Sequence, residues 1–158
     1  MLKTTFAAAT LLAATALAPA NANPPALSQE IQTLPQEMQK LVITDLGEDF
    51  AQCWAYYDFM TAIIDRDRPD VDTNDSKKTG EFARDAALAL VGKDVALANF
   101  KIALDSFASD TAGDTHRLSI VIANHAYHCK DLIDHPEHEM ARQVEAEKAG
   151  AAAAAAKK

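Results

Sequence analysis

The chain has 158 residues, with 15 Lys or Arg and 23 Asp or Glu, so its formal net charge is −8 at pH 7. An acidic chain without a basic stripe is poorly suited to bind nucleic acid or an anionic membrane surface. No segment after the first 22 residues is long and apolar enough to span a bilayer, so we expect no membrane insertion.

Residues 1–22 show the three parts of a secretory signal peptide. Lys3 supplies a positive start, residues 6–17 form an Ala/Leu run, and Ala20-Asn21-Ala22 is an A-x-A cleavage site. The run is shorter than the stretch of about 20 residues that a membrane-spanning helix needs. We therefore expect cleavage near Ala22 and an exported product, periplasmic or extracellular.

The remaining 136 residues (158 less 22) have the size of one domain. Apolar residues recur at steps of three and four, and no segment shows sustained strand-like alternation. This pattern predicts an all-α, single-domain helical bundle with four principal helices and short terminal helices. We assign residues 23–148 to the bundle and residues 149–158 to a weakly ordered Ala/Lys-rich tail.

In chain order, a short amphipathic segment lies within residues 23–34, and the first principal helix is predicted from 35 to 65 or 66. Leu46, Phe50, Cys53 and Tyr57 follow one another on one face of this helix. Gly47, inside the helix, is expected to mark a bend. The helix should end just before Pro69, because the residue preceding a proline is disfavoured in helical conformation.

The second principal helix is predicted from 75 or 79 to 91, and the third from 95 to about 108. Gly92 separates them as a stop signal, although one long kinked helix fits the pattern as well. The fourth is predicted from 115 to 134 with Asp114 as its N-cap, and Pro136 can start a terminal helix over 137–148.

Two cysteines in an exported chain indicate one disulfide, between Cys53 and Cys129. Each lies in the apolar stripe of its helix, Cys53 in the first principal helix and Cys129 in the fourth. We therefore expect an inter-helix disulfide that holds these two helices side by side.

All five histidines fall between His116 and His138, interspersed with Asp and Glu. Imidazoles one and two turns apart can converge on one ion, so His125, His128, His135 and His138 form a candidate site for Zn, Cu or Ni. Two other interpretations stay open. The histidines can be ordinary core and helix-end residues, or they can act together as a pH-responsive group.

A second candidate is a calcium loop over residues 70–81. Asp70, Asp72, Asn74 and Glu81 occupy positions 1, 3, 5 and 12 of the twelve-residue EF-hand pattern. The pattern lacks the glycine at position 6, where this chain has Asp75. The alternative interpretation is that these residues cap the following helix and face water.

A third candidate is a partner-binding face formed by Trp54, Tyr56 and Phe59. Aromatic residues this dense cover every side of a helix, so some leave the contact with the cysteine-bearing helix. They either pack on the other helices or form an exposed face for a partner.

Catalytic motifs such as G-x-S-x-G, the P-loop and C-x-x-C were not found in the sequence. We therefore expect a non-catalytic binding or accessory protein, without a cofactor, whose partner is an unknown protein or small ligand. The alternative is a metal-binding protein that uses a divalent transition metal at the histidines.

Overall fold

The computed structural model describes residues 25–112 and 114–156. The predicted signal peptide lies outside these residues and stays a prediction. Six helices follow one another along the chain: α1 (Gln29–Thr33), α2 (Gln36–Asp67), α3 (Asn74–Val91), α4 (Lys93–Thr111), α5 (Thr115–Asp134) and α6 (Pro136–Ala155). The described residues contain no strand, and the predicted all-α helical bundle is confirmed.

The ends of the helices follow from local capping chemistry. The Asp114 carboxylate accepts hydrogen bonds from the backbone N–H groups of His116 and Arg117, at 2.8 and 3.4 Å, so α5 begins at Thr115 as predicted. Pro136 occupies the first turn of α6, where its missing N–H costs nothing.

The junction between α3 and α4 decides that they are two helices and not one kinked helix. Gly92 has φ of +79°, a left-handed backbone value that residues with a side chain rarely adopt. Gly92 is the one residue between the end of α3 at Val91 and the start of α4 at Lys93.

Helix α2 is the centre of the bundle and contacts each of the other five helices, α3 and α4 most extensively. Its fully buried side chains include Val42, Leu46 and Phe50. Gly47 allows α3 to approach closely, because a Cβ at this position would lie 2.3 Å from Cγ1 of Val91. The glycine therefore serves interhelix packing.

The predicted disulfide is confirmed. Cys53 of α2 and Cys129 of α5 are both fully buried, with an S–S distance of 2.09 Å and a Cα–Cα distance of 5.3 Å. The bond joins positions 76 residues apart in the chain. It is the covalent link between the central helix and the histidine-bearing helix.

Within the described residues, none of the helices combines the length and the hydropathy that a membrane span requires. Helix α6 continues to Ala155, and residues 149–156 are exposed to solvent throughout. The weak order expected for residues 149–158 stays a prediction.

Removing the disulfide should destabilise the fold. For the double variant Cys53→Ser/Cys129→Ser we expect the free energy of unfolding to fall by about 2–5 kcal/mol, because a loop of this length then gains chain entropy when the protein unfolds. Urea denaturation followed by circular dichroism measures this change. The wild-type protein should become similarly unstable when dithiothreitol is added, whereas the double variant should not respond to it. An unchanged urea midpoint in the double variant would contradict the structural role of the bond.

Candidate functional site

The corner between α5 and α6 brings together two histidines and a glutamate. His135 ends α5 and precedes α6, and Glu137 and His138 lie in the first turn of α6. The two imidazole rings stack with centroids 5.1 Å apart and planes 26° apart. We call His135, Glu137 and His138 the His135–His138 corner.

The three side chains of this corner each offer one ligand atom, and these atoms lie within 4.8 Å of one another. A tetrahedral ion with bonds of about 2.0–2.1 Å needs ligand atoms about 3.3 Å apart. The side chains of His135, Glu137 and His138 are 55%, 64% and 61% exposed, so small rotations can close the difference. The corner can therefore hold a metal ion chemically.

Asp131 of α5 lies next to His138. An oxygen of its carboxylate lies 3.4 Å from Nδ1 of His138. A carboxylate behind a ligating imidazole fixes the orientation and tautomer of the ring, as second partners do in protein metal sites. Asp131 can orient the ring of His138 in this way.

The structure does not bring together all four predicted histidine ligands. His125 packs between the rings of Tyr56 and Phe107, with centroid distances of 6.1 and 4.9 Å. Burial lowers the pKa of His125, and the nearby His128 lowers it further. His125 is therefore a neutral residue at the edge of the core. His128 does not belong to the group of converging ligand atoms either, so of the four predicted histidines the corner contains His135 and His138, together with Glu137.

The residues of the predicted calcium loop are also spread apart. Helix α3 already begins at Asn74, so Glu81 lies about two helical turns further on, exposed to solvent. Asp72 accepts a hydrogen bond from the backbone N–H of Asn74 at 2.9 Å. Asp70 accepts two hydrogen bonds from Arg68, which lower the pKa of Asp70. Asp70 is therefore part of an ion pair and Asp72 of a turn, and Glu81 lies beyond them on helix α3.

The aromatic side chains predicted as a partner face pack mainly inside the bundle. Tyr56 is only 6% exposed. Trp54 stacks on Phe100 of α4 with ring centroids 3.9 Å apart, and Phe59 lies against Phe107 at 6.0 Å. These aromatics therefore contribute to contacts between helices, and they do not form a free surface for a partner.

A different aromatic is exposed. Tyr127 of α5 is 79% exposed, and Ile120, two turns earlier on the same side of the helix, is 47% exposed. Neither residue belongs to the apolar stripe that contains Cys129. Their exposure could have been predicted from the sequence, because large apolar residues outside the buried stripe of a helix point towards other helices or towards solvent.

A buried polar cluster between α2 and α6 was not predicted from the sequence. The carboxyl groups of Asp49 and Glu139 lie next to each other, and Glu139 is only 7% exposed. Gln143 donates from Nε2 to Asp49 at 2.8 Å, and Arg142 donates from Nε to Glu139 at 2.9 Å. The two carboxyl groups and their two donors link α6 to the central helix.

The two carboxyl groups of this cluster have opposite pKa shifts. Burial and the neighbouring Glu139 raise the pKa of Asp49 to about 7. Burial also acts to raise the pKa of Glu139, but the hydrogen bonds and charge of Arg142 outweigh it and lower that pKa. Asp49 therefore holds the proton of the pair, and Glu139 stays ionised.

Comparison of the chain with models of protein families, with curated proteins and with solved structures found no match.

Replacing Asp49 should change how stability depends on pH. The folded pKa of Asp49 lies above the ordinary value of 3.8, so the stability that its protonated form contributes is complete below about pH 3.8 and is lost as pH rises towards 7. Asn imitates the protonated acid, since it can donate to Glu139 and accept from Gln143. We expect Asp49→Asn to be more stable than wild type at pH 8 by about 1–2 kcal/mol, a value reduced for the partial exposure of the carboxyl.

Urea denaturation from pH 4 to pH 8 tests this expectation. The advantage of Asp49→Asn should shrink steadily below pH 7 and disappear near pH 4. The exposed Asp45, one turn earlier on α2, provides the matched control, and Asp45→Asn should change stability by no more than about 0.5 kcal/mol across the range. A stability difference between Asp49→Asn and wild type that does not vary with pH would refute the raised pKa of Asp49.

Proposed function

We propose that this chain is an exported, non-catalytic binding protein whose ligand is a divalent transition metal ion at the His135–His138 corner. The observation that carries the proposal is the convergence of three ligand atoms within 4.8 Å at this corner. It is the one such group of three or more His, Cys, Asp or Glu side chains found in the described part of the chain.

The chemistry of the ligand atoms supports zinc, copper or nickel. Two imidazole nitrogens and one carboxylate oxygen suit these ions, whereas calcium and magnesium prefer oxygen ligands alone. The corner is exposed, so water or a ligand from another molecule can complete the coordination. An open site of this kind is suited to reversible binding and transfer of an ion.

The disulfide supports export. Disulfides persist in oxidising compartments such as the periplasm and the extracellular space, and they are rare in the reducing cytosol. Both cysteines are in the bond, so thiolates do not compete with the histidines for the metal. The N-terminal sequence pattern independently favours the same location.

Calorimetric titration of the untagged, chelator-treated protein with Zn²⁺, Cu²⁺ and Ni²⁺ tests the metal site. We expect one ion per chain, and His138→Ala should lower the affinity by at least about tenfold because a ligand is lost. Asp131→Asn should weaken binding in the same direction, because His138 loses the carboxylate that orients it.

His116→Ala is the matched control for this titration. His116 is exposed at the other end of α5, about 28 Å from His135 along the helix axis, and its removal should leave the affinity unchanged. Equal losses in His116→Ala and His138→Ala would show that metal binds to histidines in general and would refute the site.

A second candidate function is binding of a protein partner, favoured by the exposed Tyr127 and Ile120 on α5. Large exposed aromatics are enriched among residues that dominate interfaces. Such a partner would contact the outer side of α5, opposite the disulfide.

Substitution of Tyr127 tests this second function. Tyr127→Ser should change the free energy of unfolding by less than about 0.5 kcal/mol, since the side chain is mostly in solvent, and it should abolish co-purification of a partner from the exported fraction. Ile102→Ser on α4, which removes another exposed apolar side chain, is the matched control and should retain the partner. Retention of the partner by Tyr127→Ser as well would exclude this face.

A further inference from the structure

The buried residues of α6 follow directly after the His135–His138 corner. They are Glu139, Met140, Gln143 and Val144. Gln143 follows Glu139 by four residues and Val144 follows Met140 by four, so all of them lie on one side of the helix. Met140 and Val144 are 2% and 0% exposed and belong to the apolar core of the bundle. We call residues 139–144 the docking segment, because they attach α6 to the other helices.

Helix α6 lies at the edge of the bundle. It packs against α2, α5 and α1, and within the described residues it has no close backbone contact with α3 or α4. An ion pair between Lys148 and Glu30 of α1, at 2.7 Å, adds a link, but both side chains are partly exposed and such pairs contribute little stability. A helix held mainly by so short a segment belongs to the parts of a fold that open locally before the whole protein unfolds.

The ligand atoms of the His135–His138 corner come from both sides of the junction between α5 and α6. His135 is the residue between the two helices, whereas Glu137 and His138 belong to α6. Helix α5 is held to α2 by the fully buried Cys129, six residues before His135. An ion bound to His135 and His138 therefore joins the fixed end of α5 to the first turn of α6, and the docking segment begins at the next residue.

Coordination restricts the direction in which α6 leaves the corner. The three ligand atoms lie within 4.8 Å of one another, and a tetrahedral ion holds them about 3.3 Å apart. An oxygen of Asp131 in α5 lies 3.4 Å from Nδ1 of His138, which is a further contact between the two helices. When α6 moves away from α2 as a rigid helix, His138 moves relative to His135 and Asp131. An ion at the corner opposes this movement, because its ligands would then separate.

We propose that metal binding at the His135–His138 corner is coupled to the docking of α6 on α2, so that the bound ion holds α6 in place. This inference rests on the proposed metal function. Coupling between two equilibria is reciprocal, so a change that weakens the docking of α6 also weakens metal binding. The metal-loaded and metal-free chains thus differ in how firmly α6 covers α2.

Hydrogen exchange followed by mass spectrometry tests the coupling in the disulfide-bonded protein, with and without saturating Zn²⁺. Exchange over seconds to minutes reports local opening and not unfolding of the whole bundle. Over these times, peptides from residues 139–155 should exchange at least about fivefold more slowly with Zn²⁺, because an ion that prefers the docked form stabilises it. His138→Ala should abolish this slowing, since it removes a ligand. Peptides of α3 are the internal control and should change by less than about twofold.

The variant Val144→Asp tests the reverse direction. It places a carboxylate in the buried docking segment and leaves all three candidate ligands in place, so the calorimetric affinity for Zn²⁺ should fall at least about fivefold. Ala151→Asp adds the same charge at an exposed position of α6, and its affinity should stay within about twofold of wild type. Circular dichroism establishes whether Val144→Asp keeps its helices. If it does not fold, the exchange of the wild-type protein decides the question.

The outcomes separate this inference from the metal site itself. Zinc binding that requires His138 but leaves the exchange of α6 unchanged would overturn the coupling, and the metal site would remain. Equal zinc affinity of wild type and a folded Val144→Asp would overturn the coupling as well. Absence of zinc binding by the wild-type protein would instead refute the proposed function, and the coupling with it.

Discussion

The disulfide between Cys53 and Cys129 is the constraint on which the arrangement of this bundle depends. It joins the central helix α2 to α5, two helices that are distant in the chain and whose other mutual contacts are few. Once Cys129 points inward, the rotation of α5 about its own axis is set. His125 must then lie against Phe107 and Tyr56, and Tyr127 must face solvent. Helix α5 ends just before Pro136, so the His135–His138 corner lies at the end of the helix that the disulfide orients.

The polar side chains at the start of α6 are partly exposed to solvent and partly buried against α2. At its start, His135, Glu137 and His138 are exposed and free to rearrange around an ion. The next residue, Glu139, and Gln143 one turn beyond it are buried against Asp49 of α2. Buried carboxyl groups are costly unless they are paired and hydrogen-bonded, which is why one of the pair holds a proton and the other contacts Arg142. Helix α6 is thus attached to the bundle by an interaction that responds to pH, next to the candidate metal ligands.

Features that depend on residues close together in the chain were predicted correctly from the sequence, and most features that depend on distant residues were not. The N-cap Asp114, the Pro136 start of α6 and the cysteine stripes all act within a few residues, and the helices and the disulfide were predicted from them. Of the histidines predicted as ligands, His135 and His138 lie together because they are close in the chain. His125 instead packs against Phe107. The predicted calcium loop spans residues 70–81, but α3 already begins at Asn74, in the middle of that range.

By itself, the sequence determined the helical class, most helix boundaries, the cysteine pairing and the candidate export signal, since hydrophobic period and capping residues are local properties of the chain. Only the tertiary structure decided which side of each helix meets which neighbour. That choice buried Tyr56, exposed Tyr127, and placed Asp49 beside Glu139, 90 positions further along the chain. The physical reason is that such contacts depend on the rotation and spacing of packed helices, which the side chains of the whole core set together.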